Sequence, residues 1–236
     1  MKAVIQAGGM GTRLRPYTLV LPKPMMPLGN HPIIEVLLKW LRRWDVTEVY
    51  ITTGYLGHLL NALCGDGSQW GLNIHYSSEQ EPMGTIGPLV RLRKELDETF
   101  LVLNGDLITD LKLDEFTQYH HDNDAMVTVA VTEKPVKVDF GVIEDNGGRA
   151  VRFREKPATN FQVSMGVYCM EPSVFDLIPD GAPYGFDNLM HAMLKRELPV
   201  YVYKHKGLWI DIGQTEDFRV TQEVFLRDYK TLIMGA

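Results

Sequence analysis

The chain opens on a short apolar run, Lys2 to Ala7, that ends in Gly8 and Gly9. An apolar run of that length bounded by glycine predicts a buried strand. Residues 8 to 30 are rich in Gly and Pro and predict loop. Pro32 suits the first turn of a helix. After it, Ile33, Ile34, Leu37, Leu38 and Leu41 recur at helical spacing, giving a helix with one apolar face. The pattern then predicts a strand over 46–52, a short helix over 56–63, a strand over 72–76 and a helix over 88–96. A continuous apolar strand over 100–103 ends in Asn104-Gly105-Asp106.

Strand and helix therefore alternate through the first ~105 residues, which predicts parallel strands joined by crossover helices. The second half differs. Residues 125–132 alternate like a sheet edge or a half-buried strand. Residues 140–144 and 150–153, joined through Asn146-Gly147, predict a hairpin with a tight turn. A strand follows over 163–170, with amphipathic helices over 186–197 and 215–229. No repeat, low-complexity tract or linker interrupts the chain. The expected fold is one three-layer α/β/α domain over residues 1–236 around a central mixed, mostly parallel sheet. Residues from 1 to about 110 form a nucleotide-binding half, and from about 111 to 236 a half that shapes a co-substrate pocket.

Composition narrows the partners. The 236 residues carry 24 Lys+Arg against 30 Asp+Glu, a net charge of −6. That balance argues against a general nucleic-acid binder, which needs a basic footprint. It leaves room for a local basic pocket around a phosphorylated small molecule. Cys64 and Cys169 are too few for a disulfide framework or a four-thiolate metal site. No segment approaches the ~18 apolar residues of a membrane span, and the first strand reaches glycine too early for a signal peptide. The expectation is a cytoplasmic protein with no membrane partner.

Gly8-Gly9-Met10-Gly11-Thr12-Arg13-Leu14 follows the first strand directly. Glycines there let backbone N–H groups approach an anion closely. A Walker A loop would end Gly-Lys-Ser/Thr, and this one ends Thr-Arg-Leu. A dinucleotide fingerprint would place a third glycine at Leu14. Arg13, Arg15 and Lys23 lie in one loop stiffened by Pro16, Pro22, Pro24 and Pro27. Either an anion sits beside these cations or they are solvated beside proline turns.

The stretch from Gly8 through Arg13-Leu14-Arg15-Pro16 to Pro22-Lys23-Pro24 resembles the G-x-G-T-R-L-x-P…P-K-P signature of the sugar-1-phosphate nucleotidylyltransferases. The resemblance continues at ordered intervals to Asp211. Its departure at Gln6, where the family usually has Leu, precedes the loop. The family's fold is of the nucleotide-diphospho-sugar transferase type. Its reaction condenses an NTP with a sugar 1-phosphate to an NDP-sugar and pyrophosphate. With motifs running from residue 8 to 213, the expectation is a minimal catalytic domain without the β-helix tail of longer relatives.

Asn104-Gly105-Asp106 ends a predicted parallel strand, so Asp106 belongs on the sheet edge where ligands bind. Asp211 lies in Trp209-Ile210-Asp211-Ile212-Gly213. Each Asp alone could be turn chemistry. The resemblance implies that Asp106 and Asp211 together coordinate Mg²⁺, a cation held by one or two carboxylates plus phosphate oxygens. His120, His121, Asp122 and Asp124 form a tempting cluster. The polar run around them reads as a helix end plus solvated loop.

Glu79-Gln80-Glu81-Pro82-Met83-Gly84-Thr85 resembles the family's base-recognition segment. Guanine presents two adjacent donors, which suit a carboxylate accepting two hydrogen bonds. Uracil or thymine suits an amide better, so Glu79 favours GTP. The run Met83 to Pro88 resembles the mannose-1-phosphate guanylyltransferase branch. Glu155-Lys156-Pro157 matches an E-K-P element, which implies that Glu155 holds sugar hydroxyls and Lys156 the sugar phosphate. Phe140-Gly141-Val142 matches a segment whose glycine meets the sugar. Ser164 replaces the Asn of N-A-G-[IV]-Y, which alters one sugar contact.

The resemblance thus implies Arg13 and Lys23 as catalytic residues. It implies Gly8, Gly9, Gly11, Thr12, Arg13, Glu79, Gly84 and Thr85 around the nucleotide. Gly141, Glu155, Lys156 and Ser164 would lie around the sugar phosphate, and Asp106 and Asp211 on Mg²⁺. A uridylyl- or thymidylyltransferase is the alternative. A glycosyltransferase of related fold and a non-catalytic nucleotide-sugar sensor fit less well. A homo-oligomer is compatible with all of these.

Overall fold

In the computed structural model, residues 1–79, 81–213, 218, 219, 221–223 and 225 are described. Strand β1 (Lys2–Ala7) alternates its side chains between two cores. Ala3, Ile5 and Ala7 face one apolar cluster and Val4 the other. Being covered on both faces is what makes its sequence apolar. Two short ladder strands, β2 (Pro27–Leu28) and β3 (His31–Pro32), end the proline-rich loop. Helix α1 (Ile33–Arg43) then buries Ile33, Ile34, Val36, Leu37, Leu38, Trp40 and Leu41. Each such side chain contributes about 1.5–3 kcal/mol of burial. Strands β4 (Glu48–Thr53), β5 (Asn73–Ser78) and β6 (Phe100–Asn104), helix α2 (Gly57–Cys64) and a 3₁₀ segment Gly87–Leu92 complete the first half. The segment predicted as helix over 88–96 is therefore a 3₁₀ turn beginning at Gly87.

The second half adds β7 (Leu107–Thr109), α3 (Leu113–Asp122), β8 (Val127–Lys137), the hairpin β9 (Val142–Asn146) and β10 (Arg149–Arg154), and β11 (Ala158–Met170). It ends in α4 (Phe186–Lys195), β12 (Val200–Lys204) and β13 (Trp209–Asp211). The helix expected over 215–229 falls mostly outside the described residues.

The central sheet has seven strands in the order β12-β8-β11-β6-β1-β4-β5. All pairings are parallel except those of β11, which runs antiparallel to β6 and β8. This is the mixed, mostly parallel sheet expected. The cluster holding α1 packs on one face and the cluster holding α4 on the other. One expectation is corrected: residues 127–131 are fully buried, and β8 lies inside the sheet between β12 and β11 rather than at its edge. Thr128 breaks the apolar run yet is 0% exposed, because its hydroxyl bonds His120 Nδ1 at 2.8 Å.

Candidate active site

Parallel neighbours bring their carboxyl ends to one edge. β1 pairs β6 with Gln6 opposite Asn104, and β1 pairs β4 with Ala7 opposite Thr53. The loops after β1, β5 and β6 consequently meet around a cavity of 440 Å³. Its wall carries Gly8, Gly9, Gly11, Arg13, Lys23, Glu79, Gly84, Thr85 and Asp106 from the expected set. Thr12 does not line it. Gln6, Thr52 and Asn104 do, although the motifs did not mark them as site residues.

Lys23 and Asp106 join the two ends of this wall. Lys23 Nζ forms an ion pair with Asp106 Oδ2, and both side chains are mostly buried. Asp106 Oδ1 is buried with no hydrogen-bond partner among the described residues. Buried acceptors rarely go unsatisfied, and a carboxylate oxygen left without a donor suits a hard cation. Oxygen donors from one or two carboxylates are what Mg²⁺ takes, with phosphate and water completing its shell. The donor set therefore fits that ion.

Asp211 is brought next to Asp106 through the backbone. β13 pairs β7 with Asp211 opposite Leu107, and Ile212 N–H donates to the Asp106 carbonyl at 3.1 Å. Trp209 fixes this ladder by donating Nε1–H to the Met165 carbonyl at 2.9 Å. Asp211 lines a separate cavity of 300 Å³ with Glu133, Lys134 and Trp209. Lys134 Nζ stands 5.6 Å from the Trp209 ring centre. That cation, unmarked by any motif, is the basic group of the second cavity.

The segment after β5, from Glu79 to Gly87, is anchored by its own backbone and by residues 184–186. Glu79 N–H donates to the Thr53 carbonyl at 2.7 Å, which extends β5 by one bond past its end. Glu79 Oε2 accepts from Met83 N–H at 2.9 Å. A side chain at position 8 would come within 2.5 Å of Glu79 Oε1, so Gly8 is what lets the carboxylate reach the glycine-rich loop. Burial pushes the Glu79 carboxyl up, against the Met83 N–H bond and the Arg91 charge. Gly84 has φ +78°, and a Cβ there would meet the Tyr184 carbonyl oxygen at 2.7 Å. Around it, Tyr184 accepts from Ile86 and Gly87 N–H at 2.9 Å each, and Phe186 N–H donates to Thr85 Oγ1 at 2.9 Å.

The expected sugar-phosphate residues do not line the main cavity. Gly141 and Glu155 come together beside the Phe153 ring at the base of the hairpin. Glu155 and Lys156 are exposed. Ser164 Oγ donates to Tyr168 Oη at 3.2 Å and accepts from Gly166 N–H at 3.2 Å, in a β11 bulge that abuts Asn104. His120 also departs from expectation. It is buried inside α3, and its Nε2 bonds Glu171 Oε1 at 3.1 Å. Burial lowers its pKa, against the Glu171 hydrogen bond.

Among the described residues, no helix is long and apolar enough to cross a membrane. The family model described as nucleotidyl transferase matches residues 2–227. A mannose-1-phosphate guanyltransferase from Yarrowia lipolytica is 36% identical over 227 residues, covering 92% of this chain and 62% of the relative. A UTP–glucose-1-phosphate uridylyltransferase from Synechocystis is 31% identical over 253 residues, covering 98% of this chain and 65% of the relative. The chain thus spans a little under two thirds of the length of these relatives. The crystal structure of HddC from Yersinia pseudotuberculosis superposes with a TM-score of 0.76 at 23% identity, covering 95% of this chain and 99% of that one. That likeness shows a shared fold, of the nucleotide-diphospho-sugar transferase type. With its family match running from the first strand to residue 227, the chain belongs to the nucleotidyl transferase family.

Proposed function

We propose that this chain condenses an NTP, with GTP favoured, and a sugar 1-phosphate to give an NDP-sugar and pyrophosphate. The observation that carries this reading is the Lys23–Asp106 pair with its open Oδ1, set opposite the glycine-rich loop across one cavity. The geometry supports positioning and charge stabilisation rather than covalent catalysis. Backbone N–H groups of Gly8, Gly9 and Gly11 would take the β- and γ-phosphates, and Arg13 would stabilise the leaving pyrophosphate. Lys23 would contact the phosphate under attack, exchanging part of its bond to Asp106 for a phosphate oxygen. Asp106 and Asp211 would hold Mg²⁺, which when bound neutralises charge around the α-phosphorus.

Glu79 would accept two hydrogen bonds from guanine. Its ties to Met83 N–H and Thr53 would fix where the base lies. The sugar 1-phosphate would enter from the Asp211 side, with Gly141, Glu155, Lys156 and Ser164 taking its hydroxyls and phosphate. In this reading residues up to about 110 hold the nucleotide and the rest of one domain holds the sugar phosphate. A uridylyltransferase is the competing reading, supported by the Synechocystis relative. The test is a matrix of NTPs against sugar 1-phosphates scored by pyrophosphate release. GTP as the best NTP supports the proposal. A strong preference for UTP or dTTP overturns the base, and no release with any pair overturns the reaction.

A further inference from the structure

Gln6 is a polar residue one position from the carboxyl end of an apolar strand, on the wall of the main cavity. Its backbone carbonyl accepts from Gly105 N–H at 2.9 Å, so it is fixed to the loop that carries Asp106. Its side chain reaches across the sheet edge, where Nε2 donates to the Thr85 carbonyl in the base-reading segment. A carbonyl can only accept, so this contact decides which way the amide faces. One of the two Nε2 hydrogens goes to Thr85, which fixes the orientation of the amide. Oε1 is neither buried nor bonded to another described residue.

The same wall already carries an acceptor, the Glu79 carboxylate, held from behind by Met83 N–H. Two acceptors on one wall suit a base edge with more donors than a single carboxylate satisfies. Guanine has three N–H bonds on that edge, one at N1 and two on the 2-amino group. Glu79 can take N1–H and one amino hydrogen, which leaves one. Uracil and thymine have a single N–H and would face Gln6 Oε1 with a carbonyl, acceptor against acceptor.

We infer that Gln6 is a base-specificity residue: its amide, oriented by the Thr85 carbonyl, presents Oε1 to the 2-amino group of a guanine nucleotide. The inference rests on the GTP reading above and deepens it. Leucine at this position would leave the strand and cavity wall intact and remove the acceptor.

The experiment is equilibrium binding of GTP and of ITP, which lacks the 2-amino group, to wild type and Gln6→Leu, with Mg²⁺ present. Wild type is expected to prefer GTP, and Gln6→Leu to narrow the GTP:ITP ratio by about 3- to 10-fold, the worth of one hydrogen bond. An unchanged ratio in a variant that still binds GTP overturns the inference and leaves the GTP reading standing. If wild type binds GTP and ITP equally, Gln6 reads nothing, whether or not the variant folds. If wild type binds UTP better than GTP, the base reading itself falls and Gln6 falls with it.

Discussion

Lys23 and Asp106 lie 83 residues apart in sequence, yet form an ion pair on the wall of one cavity, leaving Asp106 Oδ1 buried without a partner among the described residues. Two loops from different strands are thereby locked in a geometry that leaves one carboxylate oxygen for something else. Shape-conserving changes isolate that chemistry. Lys23→Met and Asp106→Asn are each expected to lower turnover by about 10²–10³, the usual cost of losing one charge-stabilising group. Cooperative thermal unfolding should persist in both. Steady-state pyrophosphate release checks this, and near wild-type turnover in either would remove that residue from the site.

Glu79→Gln is expected to lower the preference for GTP over UTP by about tenfold, a difference of about 1.4 kcal/mol. The amide keeps the shape but replaces one acceptor with a donor, which clashes with guanine N–H and matches a uracil carbonyl. Competitive binding of the two nucleotides measures it.

Because burial raises the Glu79 carboxyl, it protonates at higher pH than an ordinary Glu. The ionised form is the one that accepts guanine's donors. GTP affinity should therefore fall on acidification, beginning above the ordinary carboxylate range. Titrating Kd against pH in wild type and Glu79→Gln tests it: the acid limb should be missing in the variant.

Gly84→Ala would put a Cβ 2.7 Å from the Tyr184 carbonyl in a backbone region that favours glycine. The segment from Met83 to Gly87 must then shift away from residues 184–186. KM for the NTP is expected to rise more than kcat falls, since in the proposed reading the segment would face the base rather than the phosphates.

His120 is a structural prediction. Its pKa lies below the ordinary 6.5 because burial disfavours the imidazolium. The unfolded chain therefore binds the proton more tightly, and stability rises with pH across that gap. The contribution is complete above 6.5 and is lost as pH falls from there through the folded-state value. His120→Ala strands the buried Thr128 hydroxyl. It should cost about 1–3 kcal/mol and flatten the acid limb of the stability profile, with nucleotide binding unchanged. Denaturant unfolding across pH measures both.

How much of this was legible in the sequence depends on how locally each feature is determined. The glycine-rich loop and Asp106 could be placed at one edge because apolar runs ending in glycine fix strand ends, and parallel strands align those ends; Lys23 and Glu79 were named by the resemblance, and the structure brings them to the same wall. Thr128 misled the reading of β8 because the partner that lets it be buried, His120, sits on the preceding helix and leaves no trace in a period-two pattern. β12 went unassigned although Val200–Lys204 is a β-branched and aromatic run after Pro199; it is a strand through its parallel pairing with β8. Gln6 was visible as a polar residue in an apolar run. Its meaning depends on Thr85, 79 residues away. The residues expected around the sugar phosphate were named by motif alone, and the chain places Gly141 and Glu155 on a hairpin base outside the main cavity.

The proposed condensation can be followed by ³¹P NMR of the wild-type protein with GTP, Mg²⁺ and mannose 1-phosphate. Matched growth is expected of a diphosphodiester signal, carrying the α-phosphorus of GTP and the sugar phosphate, and of free pyrophosphate. Release of GDP and inorganic phosphate, or an unchanged spectrum across the whole panel of NTPs and sugar 1-phosphates, would contradict it.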